Sequence, residues 1–171
     1  MEEFDLVNEQ DGVIGTTNKE KSHRDAGIHR IVAIYVFTLD GKLYIQDHIK
    51  SGMWDHSVGG HVSKGEDYDQ AVVREGKEEL GLDGPFQKLS HFYSDETYRG
   101  KPIKHFFTLY ECTPVDWKFV PNDEVKKIEP YTIEEIVDWM NRNPEKFTPG
   151  FINSMAEYIT VKSLPFKLVV A

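Results

Sequence analysis

Glu75, Glu78 and Glu79 fall at positions i, i+3 and i+4 inside GGHVSKGEDYDQAVVREGKEELGL, residues 59–82. On a helix that spacing puts all three carboxylates on one face, with Cβ atoms about 5–6 Å apart. Like charges so placed disfavour the helix, so the pattern asks for a counterion. Hard oxygen donors on one rigid face suit a magnesium-like divalent ion, with waters and phosphate oxygens completing its shell. Arg74 stands four residues before Glu78 and can orient it or pair with Glu66. Gly59 and Gly60 allow backbone atoms to approach a ligand closely.

These side chains need a frame. Residues 67–81 read as the helix, stopped at Gly81, with Val73, Gly76 and Leu80 expected to face the core. Upstream, residues 4–17 read as two short extended pieces around a turn at Asp11-Gly12, followed by one or two helical turns in NKEKSHRDAG. IVAIYVFTL and KLYIQDH form a strand pair around Asp40-Gly41. QKLSHFYS and IKHFFTLYEC follow as strands around a turn at Arg99-Gly100, and Val125–Pro130 is a further strand candidate. Thr132 and Glu135 make a capping box for a helix, and Pro149 opens the last one. Helices and strands in this order give an α+β or αβα-layered domain.

Composition narrows the classes. The 171 residues carry 20 basic and 29 acidic side chains, a net charge of −9. That suits one domain with a real core and argues against a nucleic-acid polymer as partner. A small anionic ligand stays compatible, because a metal ion inverts local charge. Cys112 is the single cysteine, so no internal disulfide and no thiolate zinc cluster is possible. The acidic start has no apolar signal region, and no run approaches the roughly 18 apolar residues of a membrane span. A cytoplasmic protein is expected.

An acidic triplet alone is ordinary on a solvated helix face. The longer string is not: Gly60, Glu66, Arg74, Glu75, Glu78, Glu79 and Gly81 coincide by chance at roughly 10⁻⁸ per start point, at average residue usage. This string resembles the Nudix box, GX5EX7REUXEEXGU, with Leu82 at the last aliphatic position and Gly76 at the first, where the pattern has a bulky residue. The resemblance implies a Nudix-type α/β/α sandwich around a mixed sheet. The chain is then one domain over 1–171: an extension at 1–30, the box at 59–82 as loop–helix–loop, and C-terminal helices within 131–162. It also implies hydrolysis of a diphosphate linkage in a nucleoside diphosphate joined to another moiety. Glu75, Glu78 and Glu79 would bind Mg²⁺ or Mn²⁺, with the Gly59 carbonyl as a further ligand and Arg74 in support. A further acid outside the box is expected from the family; Glu124 is the first candidate, with Asp95 and Glu96 behind it.

The opening VNEQDGVIGTTNKEKSHRDAGIHRIVAIYVF and the later KFTPGF are similar to the isopentenyl diphosphate isomerases and their hydrolase-like relatives. In the isomerases, histidines at places like His23, His29 and His61 bind a metal. The isomerase's catalytic cysteine, however, falls at Gly59, and Lys101–Tyr110 holds no acid. The hydrolase reading therefore leads, with an isomerase-like enzyme and a non-catalytic nucleotide-binding module as alternatives. His29, His61 and Arg99 are the substrate-binding candidates, Arg99 within a basic cluster with Lys101 and Lys104. Trp54 is expected at a sheet edge, and Cys112, Phe106, Phe107 and Tyr110 in the core. The apolar tail from Leu164 either packs on the domain or serves a homodimer contact.

Overall fold

The computed structural model describes residues 1–125 and 127–170. Three sheets and four α-helices build it. An N-terminal hairpin joins β1 (Phe4–Val7) to β2 (Val13–Thr17) around Asp11 and Gly12, and α1 (Lys19–Asp25) follows. The central sheet has the order β6 (Val58–His61), β3 (His29–Val36), β8 (Lys101–Cys112), β7 (Gln87–Tyr98). β3 and β8 run parallel, and the outer pairings are antiparallel. A second, antiparallel sheet has the order β5 (Met53–Asp55), β4 (Leu43–His48), β9 (Ile128–Tyr131).

Alternation along β3 divides the core, because successive strand side chains point to opposite faces. Val32, Ile34 and Val36 face α2 (Tyr68–Leu80), packing with Ala71, Val72 and Leu80. Ala33, Tyr35 and Phe37 share the other core with Ile136 and Met140 of α3 (Ile133–Arg142) and Phe151 and Met155 of α4 (Pro149–Val161). The result is the expected α/β/α arrangement around a mixed sheet.

Capping fixes the helix that carries the glutamates. Asp67 accepts from the Gln70 N–H while the Gln70 side chain returns to the Asp67 N–H, and Gly81 ends α2 at φ +65. Thr132 and Glu135 make the same reciprocal cap on α3, and Thr148 caps α4 ahead of Pro149.

Several boundaries differ from the sequence reading. Val73 is 52% exposed; Val72, Gly76 and Leu80 face the sheet instead, at helical spacing of four. β7 and β8 extend to Tyr98 and Lys101, because pairing across Arg99-Gly100 carries the polar residues 95–98 into the sheet. The strand expected over Val125–Pro130 is Ile128–Tyr131, and Lys126 lies outside the described residues. Segments flanking His56 and Ser57, unassigned from sequence, form β5 and β6. Trp54 sits on the edge strand β5 against Tyr131 and Trp139. The tail is tied down: Leu164, Phe166 and Leu168 pack on the α3/α4 core, and Asn141 bonds the backbone of Lys167 and Val169. No helix among the described residues is long and apolar enough to cross a membrane.

Candidate active site

Arg74 organises the acidic face of α2. Its guanidinium donates to Glu66 at 2.9 and 2.8 Å, to Glu75 at 2.7 Å and to the His61 carbonyl at 2.9 Å, with Glu78 at 3.3 Å. One side chain thus ties the loop before α2, the helix and the end of β6 together. Burial works against ionised Glu66, yet the Arg74 guanidinium and the Ser63 N–H hold its pKa below the ordinary value. Glu75 goes the other way: burial outweighs Arg74 and raises it. Burial, then the neighbouring Glu75 charge, pushes Glu79 up to about 8, although Gln46 Nε2 donates to it at 3.2 Å. Glu78 is exposed.

Two glycines shape this face. A Cβ built on Gly60 would lie 2.0 Å from Glu75 Cδ, so the carboxylate occupies the space a side chain would need. A Cβ on Gly76 would lie 2.7 Å from Phe86 Cζ and 3.2 Å from Ile34 Cδ1. Phe86 therefore fills the volume that the family pattern assigns to a bulky residue at position 76.

On the other side of Gly59 and Gly60 opens a cavity of about 230 Å³. Ile31, Ile103, Phe107 and Pro149 supply apolar wall; among the described residues Lys19 is the only lysine or arginine lining it. Phe107 is thus core residue and cavity wall at once, whereas Phe106, Tyr110 and Cys112 are simply buried. Asp55 and Glu96 also line the cavity. Asp55 Oδ1 accepts from the backbone N–H and Nδ1–H of His56, at 2.8 and 2.6 Å. His56 Nε2 meets Ser154 Oγ at 2.7 Å, which meets the Tyr35 hydroxyl at 2.8 Å. Burial opposes ionised Asp55, but these His56 contacts hold its pKa below the ordinary value. Burial raises Glu96, which accepts from Ser94 Oγ.

The remaining candidates separate. Glu124 is exposed on a loop that Asn122 fastens to the Glu79 carbonyl at 2.8 Å, close enough for its charge to contribute to the Glu79 shift. Asp95 turns away and pairs with Lys104. Arg99 stacks on Tyr98 at the exposed hairpin tip and does not line the cavity. His61 lines the cavity, whereas His29 is fully buried beside it. The histidines that gather are His23, His29 and His105, with ligand atoms within 4.8 Å of one another. His61, which the resemblance sets beside His23 and His29, is not one of these three and packs against both Phe4 and His29, whose rings also stack on each other.

His29 Nδ1 faces the Gly27 carbonyl at 3.2 Å and therefore carries the proton, leaving Nε2 as an acceptor. His105 Nε2, at 3.1 Å, donates to it. That bond uses the lone pair a cation at the trio would take. Burial keeps both rings neutral, His29 down to about 4 and His105 well below its ordinary value. Sequence reasoning missed His105, Gln46 and the Asp55–His56 pair. The one available signal was a polar residue at an inward position of an apolar strand, as in IKHFFTLYEC.

A family model described as the NUDIX domain matches residues 27–151. The isopentenyl-diphosphate Delta-isomerase of Serratia proteamaculans is 31% identical over 158 residues, covering 89% of this chain and 88% of that protein. The uncharacterized Nudix hydrolase YfcD of Escherichia coli is 29% identical over 158 residues, covering 89% of this chain and 83% of that protein. Among solved structures, DR0079 from Deinococcus radiodurans superposes with a TM-score of 0.73 at 26% identity, covering 91% of this chain and 98% of that one.

Proposed function

Since the chain belongs to the Nudix family, we propose that it is a divalent-metal-dependent hydrolase that cleaves the diphosphate linkage of a nucleoside diphosphate joined to another moiety. The observation that carries this reading is the set Glu75, Glu78 and Glu79 on one helix, the first two held by Arg74 and the third by Gln46, with Glu75 against Gly60, which lines the cavity. The donor set fits Mg²⁺ or Mn²⁺: it is all oxygen, and burial together with like charge, Glu78 on Glu75 and Glu75 on Glu79, raises the cost of ionising both until a cation offsets it. Glu75, Glu78 and Glu79 would hold the ion, with the Gly59 carbonyl as a further oxygen. Bound there, it would supply charge neutralisation for the diphosphate and acidify a water. Among the described residues Lys19 is the only permanent cation lining the cavity, so a bound cation would carry most of the charge that offsets a diphosphate.

The protein's own groups do the positioning. Arg74 fixes the rotamers of Glu66 and Glu75 and anchors them to the His61 carbonyl. Gln46 orients Glu79 from β4 while also bonding the Ser57 carbonyl at 3.3 Å. Glu124 is the proposed general base, held by the Asn122 loop beside Glu79. His61 is the proposed contact to substrate phosphate from the cavity side, while Arg99 and buried His29 are not assigned that part.

A product-release screen tests this. It covers nucleoside diphosphate sugars, dinucleoside polyphosphates, NADH, coenzyme A, nucleoside triphosphates and isopentenyl diphosphate, with Mg²⁺ and Mn²⁺, beside Glu78→Gln. Turnover of one class, lost in the variant, is expected. Isomer exchange of isopentenyl diphosphate without phosphate release would replace this reading with the isomerase one. Tight nucleotide binding with no turnover would favour a binding module.

A further inference from the structure

Helix α2 ends at Leu80, so the carbonyls of Glu79 and Leu80 are among the four that find no partner inside the helix. One segment, residues 113–125 between β8 and β9, takes both. Trp117 Nε1 donates to the Leu80 carbonyl and Asn122 Nδ2 to the Glu79 carbonyl, each at 2.8 Å. Apolar contact holds the segment elsewhere: the Trp117 ring meets Tyr44 edge-on at 5.4 Å, and Val125 is fully buried in the core that α2 covers. Asn122 is different. It is exposed, yet its side chain is spent on backbone groups. Oδ1 accepts from the Glu124 and Val125 N–H groups at 2.8 Å each, and the Asn122 N–H donates to the Val125 carbonyl at 3.1 Å. Two donors at the oxygen and a carbonyl at the nitrogen fix which end of the amide is which. The side chain thus has two tasks. It folds the turn that presents Glu124, and it ties that turn to the backbone of Glu79.

We propose that Asn122 is a positioning residue: it sets where the Glu124 carboxylate stands relative to Glu79, and so how much that charge adds to the proposed metal set. The proposal rests on the reading of Glu79 as a metal ligand and deepens it by naming what holds a further acid near it. Among the described residues, the Asn122 bond is the only hydrogen bond from the Glu124 turn to α2; Trp117 holds the neighbouring carbonyl without touching that turn. Burial and the Glu75 charge lead in raising Glu79, and the charge of Glu124 adds to them, as a carboxylate held nearby must. Released from α2, an exposed carboxylate on a surface loop is screened by water and salt, and its pull on a cation fades within a Debye length.

The test is a double-mutant cycle in Mn²⁺ affinity, read by calorimetry on the full chain, which needs no turnover. Glu124→Gln removes the charge and Asn122→Ala removes its support; each is expected to weaken Mn²⁺ binding about threefold to tenfold. Acting through one group, the two should not add: in the Glu124→Gln background, Asn122→Ala should change the affinity by less than about twofold. Trp117→Phe separates position from loop stability. It keeps an aromatic ring beside Tyr44 and loses one N–H bond to the next carbonyl, so it should lower the Tm much as Asn122→Ala does, with Mn²⁺ affinity held within about twofold. Should Asn122→Ala fail to fold, Asn122→Ser makes the same measurement, since its hydroxyl can still accept from the turn but is too short to reach Glu79. Additive effects overturn the proposal. So does an equal loss of affinity in Trp117→Phe, or full affinity in either single variant of the cycle. No Mn²⁺ binding at all would overturn the metal reading and this proposal together. Absence of turnover would overturn the hydrolase reading while leaving the affinity cycle intact.

Discussion

The carboxylate of Glu75 rests on the Cα of Gly60, in the space where a side chain would begin: a Cβ there would sit 2.0 Å from Cδ. Strand β6 and helix α2 thus approach most closely at this glycine–glutamate pair, beside the Arg74 bond to the His61 carbonyl. Gly60→Ala is expected to leave the protein folded, since Glu75 can swing away, but to displace a proposed metal ligand by an ångström or more. Steady-state kinetics should register a fall in kcat of roughly 100-fold, with a weaker apparent Mg²⁺ affinity.

Arg74 satisfies Glu66, Glu75 and the His61 carbonyl at once. Arg74→Ala leaves these acceptors without their donor and should cost about 2–3 kcal/mol in urea unfolding. Arg74→Lys should recover less than half of that, because a single ammonium cannot reproduce the fork that meets both Glu66 oxygens. Full rescue by lysine would show that charge, not geometry, is what the position needs.

If Glu79 is a metal ligand as proposed, the response to metal should depend on pH. Its pKa rises from an ordinary 4.5 to about 8 in the fold, mainly through burial. Between these values the folded chain retains a proton that the unfolded chain has released. The contribution of Glu79 to metal-free stability is therefore most favourable below pH 4.5 and is lost as pH rises through 8. Mg²⁺ should accordingly raise the Tm at pH 8 by several degrees and far less at pH 5. In Glu79→Gln the fall attributable to this group should vanish, and most of the Mg²⁺ gain with it. An equal Mg²⁺ response at both pH values would contradict the assignment.

Gly76 and Phe86 exchange volume. Gly76→Leu, which restores the family pattern, should destabilise by about 1–3 kcal/mol through overpacking against Phe86 and Ile34. Adding Phe86→Ala should return at least about 0.5 kcal/mol relative to the sum of the single effects. Additivity in a double-mutant cycle would mean the two side chains do not share the space.

Much of this was legible in the chain because it is written locally. Asp67, Gly81, Thr132, Glu135 and Pro149 mark helix ends through bonds that reach only three or four residues, so α2, α3 and α4 could be placed from sequence. The glutamates followed from helical spacing. What was not legible depends on partners far along the chain. Glu96 enters the cavity only because β7 pairs with β8 beyond the apolar stretch. His105 resembles any residue of an apolar strand until β3 is set beside it. His61, which the resemblance sets beside His23 and His29, packs against Phe4, whose ring arrives from the N-terminal hairpin. Val73 was misplaced by about one helical step of 100°, an error that periodicity permits when Val72 and Val73 are both apolar.

The parallel pairing of β3 with β8 sets His29 against His105, 76 residues away. No short turn can bring these strands together, so pairing them carries the closure entropy of a long loop. The His29–His105 hydrogen bond exists only once that closure is made. The wall that β3 and β8 share, Ile31 with His105 and Phe107, is therefore complete only in the finished sheet, and a ligand that binds there should stabilise the end state without hastening its arrival.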